Sequence, residues 1–285
     1  MTNNKKVNST FTKKRINLAE VTRLQKLLRA AHLNTVCEGA QCPNIGECFH
    51  KKIATFLIAG TVCTRGCKFC AIAKGKPQQL DPDEPGRVAA AIKELGLRYA
   101  VVTSVTRDDL PDGAAEHFAR TIRSIRALTP EVKIEVLVPD FQGTPGSLRI
   151  VADTKPDVFS HNLETVPRLY PVARQGGDYK RSLDVLRQAK QMLPLVKSGI
   201  MLGLGESEAD VLAVLKDLRA VNCDFLTLGQ YLAPSTSHVP IQEYISDDTF
   251  AHYKTLALDL GFKHCASGSY VRSSYRADEA LLTED

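Results

Sequence analysis

The stretch "ATFLIAGTVCTRGCKFC", residues 54–70, joins an apolar run to three cysteines spaced C-x3-C-x2-C. The run "ATFLIAG" (54–60) has the length and β-rich composition of a buried strand. Similar runs recur at 99–105 ("YAVVTSV"), 133–139 ("KIEVLVP"), 157–164 ("DVFSHNLE"), 196–206 ("VKSGIMLGLGE") and 224–232 ("DFLTLGQYL"). Between them lie segments with apolar residues at helical spacing: 83–96, which ends in a glycine stop, 113–128, 179–193 and 207–221. Six strand–helix alternations imply a parallel sheet with right-handed crossovers, short of the eight units of a closed barrel. The sequence therefore predicts an α/β fold, an open partial (β/α)6 barrel over 51–260. Residues 1–50 and 261–285 form N- and C-terminal extensions. In such a layout the active site lies at the carboxyl ends of the strands. Cys63, Cys67 and Cys70 follow the first strand directly, which puts them on its loop at the catalytic mouth.

Composition sets the outer bounds. The chain has 285 residues, 44% hydrophobic and 24% charged, ordinary values for a globular protein. No apolar run approaches the roughly 18 residues of a membrane helix, so no spanning segment is expected. The polar start argues against a secretory signal. The net charge of +5 is partly local, because Lys5, Lys6, Lys13, Lys14 and Arg15 precede the first acid, Glu20. A solvated, frayed start accounts for these. An organelle-targeting segment would carry more than one arginine there, so a cytoplasmic setting is expected over an organelle matrix. Aromatic residues make up only 6%, and no basic stripe is interleaved with them, which speaks against nucleic-acid binding.

Six of the eight cysteines fall between residues 37 and 70, a clustering that reads as metal binding rather than as a disulfide framework. Cys223 and Cys265 stand apart in mixed apolar contexts and read as core thiols. A structural zinc site takes four ligands, and Cys48 is a candidate fourth. Three thiolates on a cubane iron–sulfur cluster would instead leave one iron without a protein ligand, an open position where substrate or cofactor binds.

"CTRGCKFC", with aromatic Phe69 before the third cysteine, resembles the hallmark of the radical S-adenosylmethionine (SAM) superfamily. The resemblance implies the partial barrel of that superfamily and a 4Fe-4S cluster on Cys63, Cys67 and Cys70. It also implies SAM chelated to the open iron and cleaved by one electron to a 5′-deoxyadenosyl radical. That radical takes hydrogen from carbons too inert for acid–base chemistry.

A second triplet, Cys37, Cys42 and Cys48 in "TVCEGAQCPNIGECF", has the spacing C-x4-C-x5-C. Taken with the first it resembles the lipoyl synthase family. "VTSVTRDDLPDGAAEHFA", "SHNLETVPRLYPVAR", "DYKRSL", "KSGIMLGLGE", "GQYLAPSTSHVPI" and "VRSSYRAD" extend the likeness over about 33–278. The resemblance implies an enzyme, a radical SAM sulfurtransferase. It inserts sulfur at C6 and C8 of an octanoyl chain held as an amide on a carrier-domain lysine. The second triplet holds an auxiliary 4Fe-4S cluster that donates the sulfur and is destroyed, with Ser274 of "RSSY" as its fourth ligand and Ser273 the neighbouring alternative. Read alone, two serines near a terminus are a polar tail. The implied partners are octanoylated lipoyl carrier domains or the glycine cleavage carrier protein, a low-potential donor such as ferredoxin or flavodoxin, and an iron–sulfur cluster carrier protein. No nucleic acid or membrane is implied.

For SAM itself the likeness suggests Asn162 and Glu164, side by side at the end of the fourth strand, for the methionyl group or ribose. Arg174 is suggested for its carboxylate, though it reads equally as a surface arginine. Gly203 and Gly205 in "GLGES" allow close backbone approach to a ligand, but a glycine-rich turn is common without one. The acidic "TRDDLPDG" (106–113) is left without a role. Some positions depart from the family pattern: Gly39 for an acid, Phe49 for tryptophan, "IAGTVCTRG" for a glycine–aspartate approach, and Ser269 and Tyr270 for proline and an aliphatic residue. None removes a cluster ligand. Another radical enzyme using its second cluster for electron transfer, or a zinc module, are the competing readings. Iron and zinc content separate the last from the others.

Overall fold

The computed structural model describes residues 18–36 and 44–282. The basic start, Gly39, Cys37 and Cys42 lie outside the described residues. In chain order the strands are β1 (Asn34–Thr35), β2 (Ile53–Ile58), β3 (Val62–Cys63), β4 (Ala73–Lys74), β5 (Tyr99–Ser104), β6 (Lys133–Leu137), β7 (Val158–Ser160), β8 (Val196–Leu202), β9 (Phe225–Gln230) and β10 (His264–Gly268). One sheet runs β1-β2-β5-β6-β7-β8-β9-β10, and β3 pairs with β4 apart from it. From β2 onward every pairing in that sheet is parallel. Sequential order without reversal is that of a barrel wall, left open between its two edges.

Helices Glu84–Leu95, Ala115–Leu128, Pro145–Ala152, Tyr179–Met192, Glu208–Ala220 and Asp247–Asp259 fill the crossovers. Local chemistry sets their ends. Gly96 stops the first with φ 57°, Asp178 accepts from Arg181 N at 2.7 Å, and Ser207 and Asp210 cap each other reciprocally. Strand alternation divides the core. Ala54, Phe56 and Ile58 face the helices and pack with Val88, Ile92 and Phe118. Ile53, Tyr99 and Val101 face the lumen, where they meet Cys48, Ala277 and Tyr275. Val158, Leu195 and Phe225 meet Ala280 and Leu281 at the amino ends of the strands. The C-terminal segment thus floors the barrel.

Three differences from the sequence reading have local causes. The sheet continues past residue 260, because β10 pairs in parallel with Phe225–Gly229. The fourth strand ends at Ser160 rather than 164: Glu164 takes φ 67° and touches β8 only through a bridge to Ile200. The fifth ends at Leu202 because Gly203 and Gly205 adopt φ 99° and 105°. Cys223 and Cys265 are buried core thiols as expected, and burial pushes each up to about 12.

Candidate active site

The cysteine loop starts from a strained turn. Ala59 has φ 64°, a conformation that costs a residue with a side chain about 1 kcal/mol or more. Its peptide groups are fixed on both sides. Ala59 N donates to Glu84 at 2.8 Å, and Ala59 O accepts from Arg107 at 3.1 Å. Glu84 is backed by His117 at 2.6 Å, and Arg107 by Asp109 at 2.9 Å. Beyond the turn, Thr64 N and Oγ1 both donate to Thr106 O.

Arg65, between the first two cysteines, donates to Asp108 at 2.6 and 2.8 Å and to Asp140 at 2.6 Å. Asp140 also accepts from Arg181 at 2.7 Å. Burial works against the Arg65 charge, but the bonds to Asp108 and Asp140 outweigh it and hold its pKa above the ordinary value. Burial likewise opposes the Asp140 carboxylate, and Arg65 outweighs it, so this carboxyl stays well below the usual range. Lys68 N donates to Ala173 O at 2.8 Å, Val239 N to Lys68 O at 3.1 Å, and His238 Nε2 meets Cys70 O at 3.2 Å. Loops after β5, β6, β7 and β9 therefore brace the loop after β2. "TRDDLPDG" gains a role here: Thr106, Arg107 and Asp108 each hold the cysteine loop.

Cys63, Cys67 and Cys70 are half-buried and form no disulfide. Burial pushes Cys67 up to about 11; Arg174 pulls it down, and Glu164, Cys70 and Cys63 push it further up. Burial also raises Cys70. Cys67 thus feels the Arg174 guanidinium, the Glu164 carboxylate and the other two sulfurs, and Cys70 feels Glu164 and Cys63. Thiols that resist ionisation become ligands when metal supplies the positive charge. Among the described residues no three His, Cys, Asp or Glu side chains converge on one point that could hold a single ion. A cubane takes its thiolates on separate irons, so three thiols on one braced loop suit a cluster with an open iron.

Asn162 and Glu164 come together as expected, with Asn162 Nδ2 donating to Glu164 Oε1 at 3.2 Å. They do so through the left-handed Glu164 rather than along a strand. Burial raises the Glu164 carboxyl, and Arg174 pulls it down. Arg174 is buried, which overturns the surface reading. Its Nη1 donates to Leu163 O at 3.2 Å, Tyr170 Oη at 2.8 Å and Ser182 Oγ at 3.2 Å. Nη1 is thus engaged by the protein, and Nη2 lies 3.5 Å from His161 Nε2.

Gly203 and Gly205 lie where the chain packs closely on itself. A Cβ on Gly203 would stand 2.4 Å from Glu243 O, and one on Gly205 would stand 3.3 Å from Gln242 Cγ. Glu206 caps the amides of Gly203 and Leu204. The protein itself makes the close approach.

Cys48 is buried in the lumen cluster beside Tyr275 and Ala277. Ser273 and Ser274, half-buried in the turn before Tyr275, are thereby brought to the same region. Sequence reasoning missed the lumen network. Glu135 and Lys197, both buried, pair at 3.0 Å, and Ser160 and Tyr99 donate to Glu135 at 2.7 and 2.9 Å. A charged residue inside each of two otherwise apolar strand runs was its only signal.

The wall order and the open-ended cysteine loop define a radical SAM protein, and the Radical SAM superfamily model matches residues 57–218. Methylornithine synthase superposes with a TM-score of 0.57 over 90% of this chain and 86% of its own. At 14% identity that likeness is one of fold alone. Lipoyl synthase of Caldanaerobacter subterraneus subsp. tengcongensis is 54% identical over 273 residues, 95% of this chain and 96% of that protein. Lipoyl synthase of Caldicellulosiruptor saccharolyticus is 57% identical over 256 residues, 89% and 90% of the two. The chain belongs to the lipoyl synthase family.

Proposed function

We propose that this chain inserts two sulfur atoms, at C6 and C8, into an octanoyl chain carried on a protein lysine, producing the lipoyl cofactor. One observation carries the reading within its family. Besides the braced loop of three cysteines, a further cysteine, Cys48, is held against the C-terminal segment that carries Ser274, through Tyr275 and Ala277. When bound, two 4Fe-4S clusters and SAM supply a hydrogen-abstracting radical at one site and sulfur at the other.

Cys63, Cys67 and Cys70 hold the first cluster; Cys37, Cys42, Cys48 and Ser274 hold the second. Glu164 and Asn162 would contact the methionyl group or ribose of SAM. Arg174 holds Leu163 O, so it orients the turn that carries them. A serine oxygen is a hard ligand on a soft site and is suited to release. The substrate is an octanoylated lipoyl domain or glycine cleavage carrier protein. A ferredoxin or flavodoxin supplies electrons, and a cluster carrier rebuilds the spent site. The setting is the cytoplasm, where thiol ligands stay reduced.

Anaerobic incubation with octanoylated carrier peptide, SAM and a reductant, followed by mass measurement, tests this reading. The parent should bind about eight irons, four per cluster, and add two sulfurs to the peptide. Cys67→Ala should make no 5′-deoxyadenosine. Cys48→Ala and Cys42→Ala should still make it and add no sulfur. Lipoyl product from either of these two would end the donor reading.

A further inference from the structure

Residues from the two ends of the chain meet beside Cys48. Glu47, on the Ile45–His50 helix, accepts from the Tyr275 hydroxyl at 3.0 and 3.1 Å. It also accepts from Arg276 Nε at 3.0 Å, and Arg276 Nη2 lies 3.0 Å from the same oxygen. The Arg276 guanidinium stacks over the Tyr275 ring, 5.2 Å from its centroid, so the two donors order each other. At the start of the helix Asn44 Nδ2 donates to Tyr270 O at 2.6 Å. Single exposed ion pairs add little. Here a phenol, a guanidinium and a carboxylate form one connected network over an apolar contact between Tyr275, Ala277 and Cys48.

Sequence adjacency gives the network its meaning. Cys48 follows Glu47, and Ser274 precedes Tyr275. A carboxylate that fixes Tyr275 therefore also fixes Ser274 relative to Cys48. We propose that Glu47 is the positioning residue of the auxiliary site: it latches the 270–276 segment onto the Cys48 helix and so presents Ser274 to the metal. This rests on reading Cys48 and Ser274 as ligands of one group. All of the latch contacts are between protein atoms, so none of them uses iron as a partner. Ser274 can then part from the metal while its segment stays docked, which leaves an emptied site ready to be refilled.

Hydrogen exchange on the full chain, before and after anaerobic loading with iron and sulfide, tests the latch. The amides of Val271 and Tyr275 sit in turns, donating to Gly268 O and Arg272 O, and report on the segment. Before iron is added, Glu47→Ala should speed exchange there roughly tenfold, the worth of one charge-assisted bond, and leave the β5 to β8 peptides unchanged. After loading it should retain up to half the iron of the parent, with loss of the auxiliary EPR signal, yet still cleave SAM. Tyr275→Phe, which removes only a hydroxyl, should show the same pattern more weakly and covers the case in which Glu47→Ala does not fold. Unchanged exchange at 271–275 in both variants overturns the latch, as does faster exchange across the whole barrel or full auxiliary iron. Ser274→Ala is loaded in parallel. Normal sulfur transfer by that variant would remove the ligand reading, and with it the purpose of the latch, whatever the exchange result.

Discussion

Asp140 is fully buried and answers two guanidiniums at once, Arg65 at 2.6 Å and Arg181 at 2.7 Å. Arg65 is only 8% exposed, so little water is available to replace a lost partner. Removing one member of a buried pair typically costs about 3–5 kcal/mol. Asp140→Asn should fall at the low end, near ~3 kcal/mol, because Asp108 still grips Arg65 bidentately. Urea unfolding of the iron-free chain measures it. The same variant should slow SAM cleavage, since the loop between Cys63 and Cys67 loses one of its anchors. Asp108→Asn should be milder, because Asp108 is 26% exposed and water can take its place. A stability for Asp140→Asn within about 1 kcal/mol of the parent would show that the brace is ornamental.

At the scale of elements, β9 and the C-terminal segment come so close that Gly229 leaves no room for a side chain. A Cβ there would stand 2.2 Å from Val271 O, a backbone atom that cannot rotate away. Gly229→Ala should push the segment out, at the ~1–3 kcal/mol typical of overpacking. It should cost auxiliary iron and sulfur transfer while SAM cleavage continues. Gly146→Ala is the control, in a helix with nothing within 4 Å of the new methyl; it should be neutral or gain up to about 1 kcal/mol. Equal iron retention by the two variants would refute the close-packing argument. This segment also marks the limit of what the sequence reveals. "ATFLIAG" is legible because a continuous apolar run bounded by glycine has few other uses. "HCASG" is illegible as a strand because it carries no large apolar or β-branched residue. The cysteine triplets are legible because their ligands are close in sequence. The brace and the latch are not: Arg65 finds Asp140 75 residues away, and Glu47 finds Tyr275 228 residues away. Periodicity records which face is buried, not which distant charge it meets.

For the molecule as a whole, the buried titratable groups set how the fold responds to acid. His161, 1% exposed, meets Val138 O through Nδ1 at 2.8 Å, and its Nε2 lies 3.5 Å from Arg174 Nη2. That geometry makes Nδ1 the donor and Nε2 an acceptor, which is a neutral ring. Burial and then Arg174 lower its pKa from 6.5 to about 3. Between those values the unfolded chain binds a proton that the folded chain refuses, so stability falls as pH falls through that window and is intact above it. From pH 7 to pH 5 this amounts to about 2 kcal/mol. Asp140 acts lower down. Its carboxyl is depressed in the fold, so its contribution is present above the unfolded carboxylate pKa of about 4 and is lost only below it. The two windows separate; burial also lowers the His264 pKa and raises that of Glu164, so His161 is isolated by comparing the parent with a His161 variant during chemical unfolding of the iron-free chain at pH 7 and pH 5. His161→Asn keeps an N–H donor for Val138 O and cannot be charged. The parent should lose about 2 kcal/mol more than this variant between the two pH values. Parallel losses would mean that the ring accepts a proton in place, with Arg174 moving away, and that the turn carrying Asn162 and Glu164 is looser than its contacts indicate.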